Sequence, residues 1–204
     1  MKLSDFYKDV INENEVGRGW AQYYYGVFSK IINENSYKTI AEVGIGYGTH
    51  AKEILKNTNC EKLYLIDPMK WYPNDLFADD IMSKEAIIPG NNFNELCDLI
   101  NQELLQWNDR YTWFRKPSLA VTNDEIANES IDCIFVDGDH SYNAVIADLR
   151  FWWAKVKTGG KMLGDDFWMA DVARAVNLFA SEIGQVPEFF TRPGTDYKIF
   201  CFSK

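Results

Sequence analysis

An alternating α/β fold built on a parallel sheet is the class this sequence predicts, and three observations carry it. From Thr39 onward short apolar runs alternate with helical patterns, the signature of beta-alpha-beta units. The run Ile131 to Val136 is apolar without alternation, as expected of a central strand covered by helices on both faces. Between the first strand and its helix stands a glycine-rich turn, Gly44-Ile45-Gly46-Tyr47-Gly48, of the kind that ends a strand sharply and opens a helix.

Taken in order, the first 35 residues read as two helical pieces, with Ser4 as a cap and Gly17-Arg18-Gly19 as the break before Trp20 to Asn35. Ile40 to Val43 is the first strand, Thr49 to Lys56 a helix and Leu63 to Ile66 the second strand. Asn91 to Trp107 spaces Phe93, Leu96, Cys97, Ile100, Leu104 and Trp107 as an amphipathic helix does. Tyr111 to Phe114 is a third strand, and Ile131 to Val136 runs into Asp137-Gly138-Asp139-His140. Ser141 to Val156 carries Tyr142, Val145, Leu149, Trp152 and Trp153 along one side of a helix. Gly159-Gly160 then turns the chain into a strand from Lys161 to Leu163, which ends in Asp165-Asp166. After a helix over about Ala170 to Ile183, Val186 to Thr191 and Tyr197 to Phe202 flank Arg192-Pro193-Gly194-Thr195-Asp196, turn residues of a closing hairpin.

The 204 residues show no repeat, linker or low-complexity tract, so the expectation is one domain, with residues 1–35 as a helical extension or lid and 36–204 as the core. With 47% hydrophobic and 15% aromatic residues, the chain has the material for a substantial core. A net charge of −9 works against a nucleic-acid surface, because such affinity comes from Lys and Arg displacing counterions. Cys60, Cys97, Cys133 and Cys201 are too widely spaced for a zinc site or a disulfide framework and read as buried thiols. With no signal-type or membrane-spanning run, the expected location is cytoplasmic, without a membrane partner.

The sharpest local signal is Glu42-Val43-Gly44-Ile45-Gly46-Tyr47-Gly48. A dinucleotide loop more typically reads G-x-G-x-x-G and brings a pyrophosphate to the helix N-terminus. An acid beside the loop opposes a pyrophosphate, whereas S-adenosylmethionine (SAM) carries an ammonium and a sulfonium that a carboxylate favours. Asp67 closes the second strand nineteen residues after Gly48, where an acid accepts hydrogen bonds from ribose hydroxyls. The plainer alternative is a glycine turn beside unrelated solvated acids.

On these residues the chain resembles the class I SAM-dependent methyltransferases, from about Ile40 to the C-terminus. The resemblance implies a Rossmann-like, seven-stranded, mostly parallel sheet with an antiparallel last strand and helices on both faces. It makes Glu42, Gly44, Gly46, Gly48 and Asp67 cofactor residues. A narrower resemblance rests on Phe135 to Tyr142, on Asp148, and on Gly159 to Phe167. It is to the macrocin-type sugar O-methyltransferases, and more distantly to the catechol type. That branch binds a divalent metal, usually magnesium, which implies Asp137, Asp165 and Asp166 as ligands and Asp137 as a further cofactor contact. It also implies His140 as general base and Ser118 near the adenine.

The chemistry suits those residue types. Methyl transfer is an in-line displacement by an oxygen whose proton must leave, and magnesium with three carboxylates would lower a hydroxyl's pKa and orient it. Imidazole titrates near neutral pH, as a base must. Each role has a plainer reading. Asp165-Asp166 is otherwise a solvated strand end, Asp137 a cofactor contact alone, and His140 a cap of the helix starting near Ser141. His50 reads as structural. Trp20, Tyr23, Tyr24 and Tyr25 line either an acceptor pocket or the core, while Trp71 and Trp168 follow strand ends and are better pocket candidates.

The leading functional reading is therefore a magnesium-dependent O-methyltransferase of a sugar, such as a deoxyhexose in a glycan or natural product. The alternatives are a metal-independent methyltransferase of another small-molecule oxygen or nitrogen, and a non-catalytic SAM-binding partner subunit. A nicotinamide-dependent dehydrogenase is the weakest rival. No Asn-Pro-Pro-Tyr-like motif ends the fourth strand, which disfavours a nucleic-acid substrate. The N-terminal helices are expected to form a lid, a homodimer contact or both.

Overall fold

The structure, a computed structural model, describes residues 1–15, 22–71, 84, 87–192 and 194–204, without the side chains of residues 14, 15, 22 and 23. The expected break at Gly17-Arg18-Gly19, Trp20, the side chain of Tyr23 and Pro193 of the hairpin turn lie outside the described residues.

Helices α1 (Leu3–Glu15) and α2 (Gln22–Glu34) precede the sheet. The chain then runs through β1 (Thr39–Val43), α3 (Thr49–Asn57), β2 (Lys62–Ile66), α4 (Phe93–Glu103), β3 (Tyr111–Phe114) and β4 (Ile131–Val136). It continues through α5 (Tyr142–Trp153), β5 (Val156–Gly164), α6 (Ala170–Ile183), β6 (Glu188–Thr191) and β7 (Lys198–Ser203). The strands form one sheet in the order β3-β2-β1-β4-β5-β7-β6. β1 to β5 pair in parallel with one another, and β7 runs antiparallel to both β5 and β6, as the resemblance implies. No helix among the described residues is long and apolar enough to cross a membrane.

Because successive strand residues point to opposite faces, β4 divides its side chains between two cores. Cys133 and Phe135 enter one, with Ala51, Ile54 and Leu55 of α3, Leu96 and Ile100 of α4, and Leu3, Tyr7, Phe28 and Ile32 of α1 and α2. Ile134 and Val136 enter the other, with Leu149 and Trp152 of α5 and Val172, Val176 and Phe179 of α6. The sheet is thus covered on both faces, which explains the apolar run Cys133 to Val136 in β4. Tyr24 and Tyr25 fall in the first core, so that part of the aromatic stripe is packing. Cys60, Cys97, Cys133 and Cys201 are all free and buried.

Several boundaries differ from expectation. Ser4 lies inside the first turn of α1, while the Lys2 carbonyl accepts from the Asp5 and Phe6 amides. α5 ends at Trp153 and β5 begins at Val156, so Gly159-Gly160 sits within the strand beside a register shift rather than before it. Gly159 there has φ +85°, and a Cβ on Gly160 would lie 2.6 Å from the Asp132 carbonyl oxygen, so glycine permits the irregularity. The expected Asn91–Trp107 helix divides into α4 and a 3₁₀ turn, Leu105–Trp107. Asn92 caps α4, accepting from the Glu95 amide at 3.1 Å.

The parallel neighbours β1 and β4 leave the sheet side by side. The Asp137 amide donates to the Val43 carbonyl at 2.8 Å and the Gly44 amide to that of Ile66 at 2.9 Å. Gly44 has φ +81°, and a Cβ there would overlap the Asp137 carbonyl. Gly44→Ala therefore combines left-handed strain with a backbone collision, and we expect it to lower stability by about 2–4 kcal/mol in urea denaturation. An unchanged midpoint would show that the two strand ends can separate freely.

Candidate active site

The turn after β1 uses glycine where the backbone demands it: Gly44, Gly46 and Gly48 all have positive φ, and Gly48 delivers the chain into α3. Beneath the turn, Glu42 is 2% exposed and its Oε1 lies 3.1 Å from Nδ1 of His50, itself 3% exposed. Tyr25 stacks on the His50 ring with centroids 4.7 Å apart, and Tyr24, Phe28 and Phe135 close around it, which fits the structural reading of His50. Burial holds the Glu42 carboxyl above its ordinary pKa against the opposing pull of His50. Among the described residues, Glu42 Oε2 has no hydrogen-bond partner.

Asp67, at the end of β2, ties the glycine turn down. Its Oδ2 accepts from the Ile45 amide at 3.0 Å and its Oδ1 from the Met69 amide at 2.7 Å. Burial raises its pKa, and the amides of Ile45, Met69 and Gly46 oppose the rise. A carboxylate offers about four acceptor sites, so capacity remains for ribose hydroxyls. Ser118 follows β3 on a 3₁₀ turn and donates its hydroxyl to Asp148, a 6% exposed carboxylate on α5. Burial pushes Asp148 up to about 6, with the Ser118 hydrogen bond acting against it and the Asp139 charge adding to it. Asp148 lines a small cavity together with Val136, Gly138 and Val172.

The acids meet where β4 and β5 end side by side. One oxygen each of Asp137 and Asp166 and a ring nitrogen of His140 lie within 4.8 Å of one another. Nε2 of His140 is 3.0 Å from Asp166 and 3.4 Å from Asp137. Burial alone would lower the His140 pKa, but hydrogen bonds to the two carboxylates raise it to about 10. The N-cap position of α5 is Ser141, without a side-chain cap hydrogen bond, and Asp139 accepts from the Ser141 amide at 2.8 Å just before the helix.

Asp165 is 6% exposed and stands outside the closest trio. Its Oδ1 accepts from the Asp166 amide at 2.6 Å and its Oδ2 from the Tyr197 hydroxyl at 2.7 Å. Burial first, and then the charges of Asp137 and Asp166, push it up to about 8. Asp166 has φ +56°, a rare conformation for a non-glycine residue that recurs at functional sites. Trp168 donates its indole N–H to Asp166 at 2.8 Å while the residue stays 62% exposed; Trp71 bonds Asn91 and packs its edge on Phe93.

Sequence reasoning missed Tyr197, which only the hairpin brings to Asp165, and the partnership of Ser118 with Asp148. Tyr24, read as lining a pocket or the core, lies in the core, and its hydroxyl is held well above its usual pKa first by burial and then by the Asp137 charge.

Residues 41–167 match the family described as a methyltransferase domain. An uncharacterized protein of Acanthamoeba polyphaga mimivirus is 27% identical over 181 residues, covering 85% of this chain and 73% of the relative. Among solved structures, the O-methyltransferase from Bacillus cereus, in complex with SAH, superposes with a TM-score of 0.67 at 12% identity over 97% of this chain and 90% of its own. The SAM-dependent O-methyltransferase from Thermotoga maritima gives a TM-score of 0.58 at 11% identity, covering 94% and 69%. At such identity these structures speak for the fold alone.

The buried Asp148 makes a pH prediction. Its folded pKa of about 6 lies above the ordinary 3.8, so its contribution to stability is fully present below about pH 4 and is lost as pH rises through about 6. The loss amounts to roughly 3 kcal/mol. Asp148→Asn keeps an acceptor for Ser118, and its stability relative to the native chain should rise between pH 4 and 7 in urea denaturation. Parallel profiles for the two proteins would contradict the assignment.

Proposed function

The chain belongs to the methyltransferase domain family and is a SAM-dependent methyltransferase, and we propose that it methylates a hydroxyl of a sugar with the help of a divalent cation. The observation that carries this reading is the convergence of Asp137, His140 and Asp166 beside the glycine turn, at the carboxyl edge of the sheet. Ligands of open α/β sheets bind in that position. The choice of a sugar rests on the resemblance of residues 135–142 and 159–167 to the macrocin-type enzymes.

The residues present suit both SAM and a cation. Glu42 Oε2 is buried and uncommitted among the described residues, a state that costs about 1–3 kcal/mol and that an ammonium donor would relieve. Asp67 retains acceptor sites for ribose hydroxyls, and Ser118 is the candidate neighbour of the adenine. Asp137 and Asp166 offer oxygen ligands that a hard cation such as magnesium prefers, with Asp165 adjoining. When bound, such a cation supplies Lewis-acid stabilisation to a developing alkoxide.

In the transfer, the acceptor oxygen bonds to the methyl carbon as the carbon–sulfur bond breaks and its electron pair stays on sulfur. The hydroxyl proton goes to His140. Pairing with Asp137 and Asp166 is what keeps a proton on His140, so carboxylates engaged elsewhere return the imidazole toward its ordinary range, where it can act as a base. We assign Trp168, largely exposed and held by its bond to Asp166, to the acceptor's side of the site.

Mass-resolved transfer from SAM to sugars, glycosides and catechols, with magnesium and with a chelator, tests the reading. Methylated sugar formed only with magnesium is the expected result. Transfer undiminished by chelator would remove the cation and leave a metal-independent methyltransferase, and binding of SAM without transfer to any acceptor would favour a partner subunit. His140→Gln should lower kcat by about 10²–10⁴ and leave SAM affinity within about twofold. An unaltered kcat would exclude His140 as base.

A further inference from the structure

His50 takes no part in the proton transfer, yet it is buried against the acid that opens the glycine turn. On Glu42, Oε1 meets His50 Nδ1 at 3.1 Å, and Oε2 has no hydrogen-bond partner among the described residues. Both side chains are only 3% exposed, so water is a poor substitute for the missing partner. An ionised carboxylate can only accept, so with Glu42 charged the proton of this bond sits on Nδ1.

The imidazole has little freedom to follow the carboxylate. Tyr25 of α2 stacks on it with 13° between the planes, and Tyr24 of α2 and Phe135 of β4 stand at steep angles to it with centroids 5.1 and 4.9 Å away. Phe28 closes a further side at 5.2 Å. Tyr25 is itself tied by a hydrogen bond to the hydroxyl of Thr49, the residue before His50. The donor is therefore a fixed point set by the core, and the longer Glu42 side chain takes its orientation from it. The same bond opposes burial by favouring the charged form of Glu42.

We propose that His50 is a positioning residue for cofactor binding, holding one oxygen of Glu42 so that the other is presented to the α-ammonium of SAM. This rests on the assignment of Glu42 to the ammonium given above. The physical consequence is preorganisation, because a carboxylate whose rotamer is set before the ligand arrives loses less freedom on binding. Without the imidazole, Glu42 is free to turn away and burial acts on it unopposed. The ligand's ammonium then loses much of a charge-assisted hydrogen bond, which corresponds to about tenfold in affinity.

The test is calorimetric titration of the full chain with two probes, S-adenosylhomocysteine and its desamino analogue, in which hydrogen replaces the α-ammonium. The native chain should prefer S-adenosylhomocysteine by about tenfold or more. His50→Leu fills the aromatic enclosure but removes the donor, and it should weaken S-adenosylhomocysteine by about tenfold and the desamino analogue by less than about twofold. His50→Asn places an amide N–H near the position of Nδ1 and should keep the native preference within about threefold. A merely structural role would weaken both probes alike in His50→Leu, and that result would overturn the inference while leaving SAM at the glycine turn. Undiminished binding of S-adenosylhomocysteine by His50→Leu would do the same, as would a native chain that binds the two probes equally. A native chain that binds neither probe would overturn the cofactor assignment as well.

Discussion

The contact between the backbone of Gly44 and the carbonyl of Asp137 is the constraint from which the rest of this site follows. β1 and β4 are far apart in sequence but pair in parallel, with Val43 opposite Val136, so both strands leave the sheet at one point. Only a residue without a Cβ fits there. The glycine turn, the acid that ties it down and the acid that ends β4 are brought together by that crossing, at the switch point where open α/β sheets bind ligands.

The second governing feature is negative charge gathered in a poorly solvated place. Glu42, Asp148, Asp165 and Asp166 are buried and Asp67 is half-buried, and the donors that meet them are chiefly amides, hydroxyls and imidazoles. Such a collection raises carboxyl pKa values, as at Asp148 and Asp165, and favours a cationic ligand. A sulfonium, an ammonium and a divalent ion each answer that need, which connects the electrostatics of the edge to methyl transfer.

Much of the fold was legible in the sequence because periodicity reports burial. β3, β4 and α6 have the residues expected of them, Tyr111–Phe114, Ile131–Val136 and Ala170–Ile183. The start of β5 was not legible, because glycines that usually end an element here permit an irregular strand. Within the site, the resemblance implied Asp137, His140, Asp165 and Asp166, and Asp137, His140 and Asp166 do converge. It did not reveal that Asp165 accepts from Tyr197, since no local pattern announces a hairpin phenol 32 positions away.

The most direct test of the central claim is a crystal structure with S-adenosylhomocysteine and Mn²⁺, using anomalous scattering to place the ion. The account predicts the ligand across the glycine turn, with its ribose at Asp67 and the anomalous peak beside Asp137 and Asp166. Ligand density elsewhere, or a peak away from the ends of β4 and β5, would contradict it.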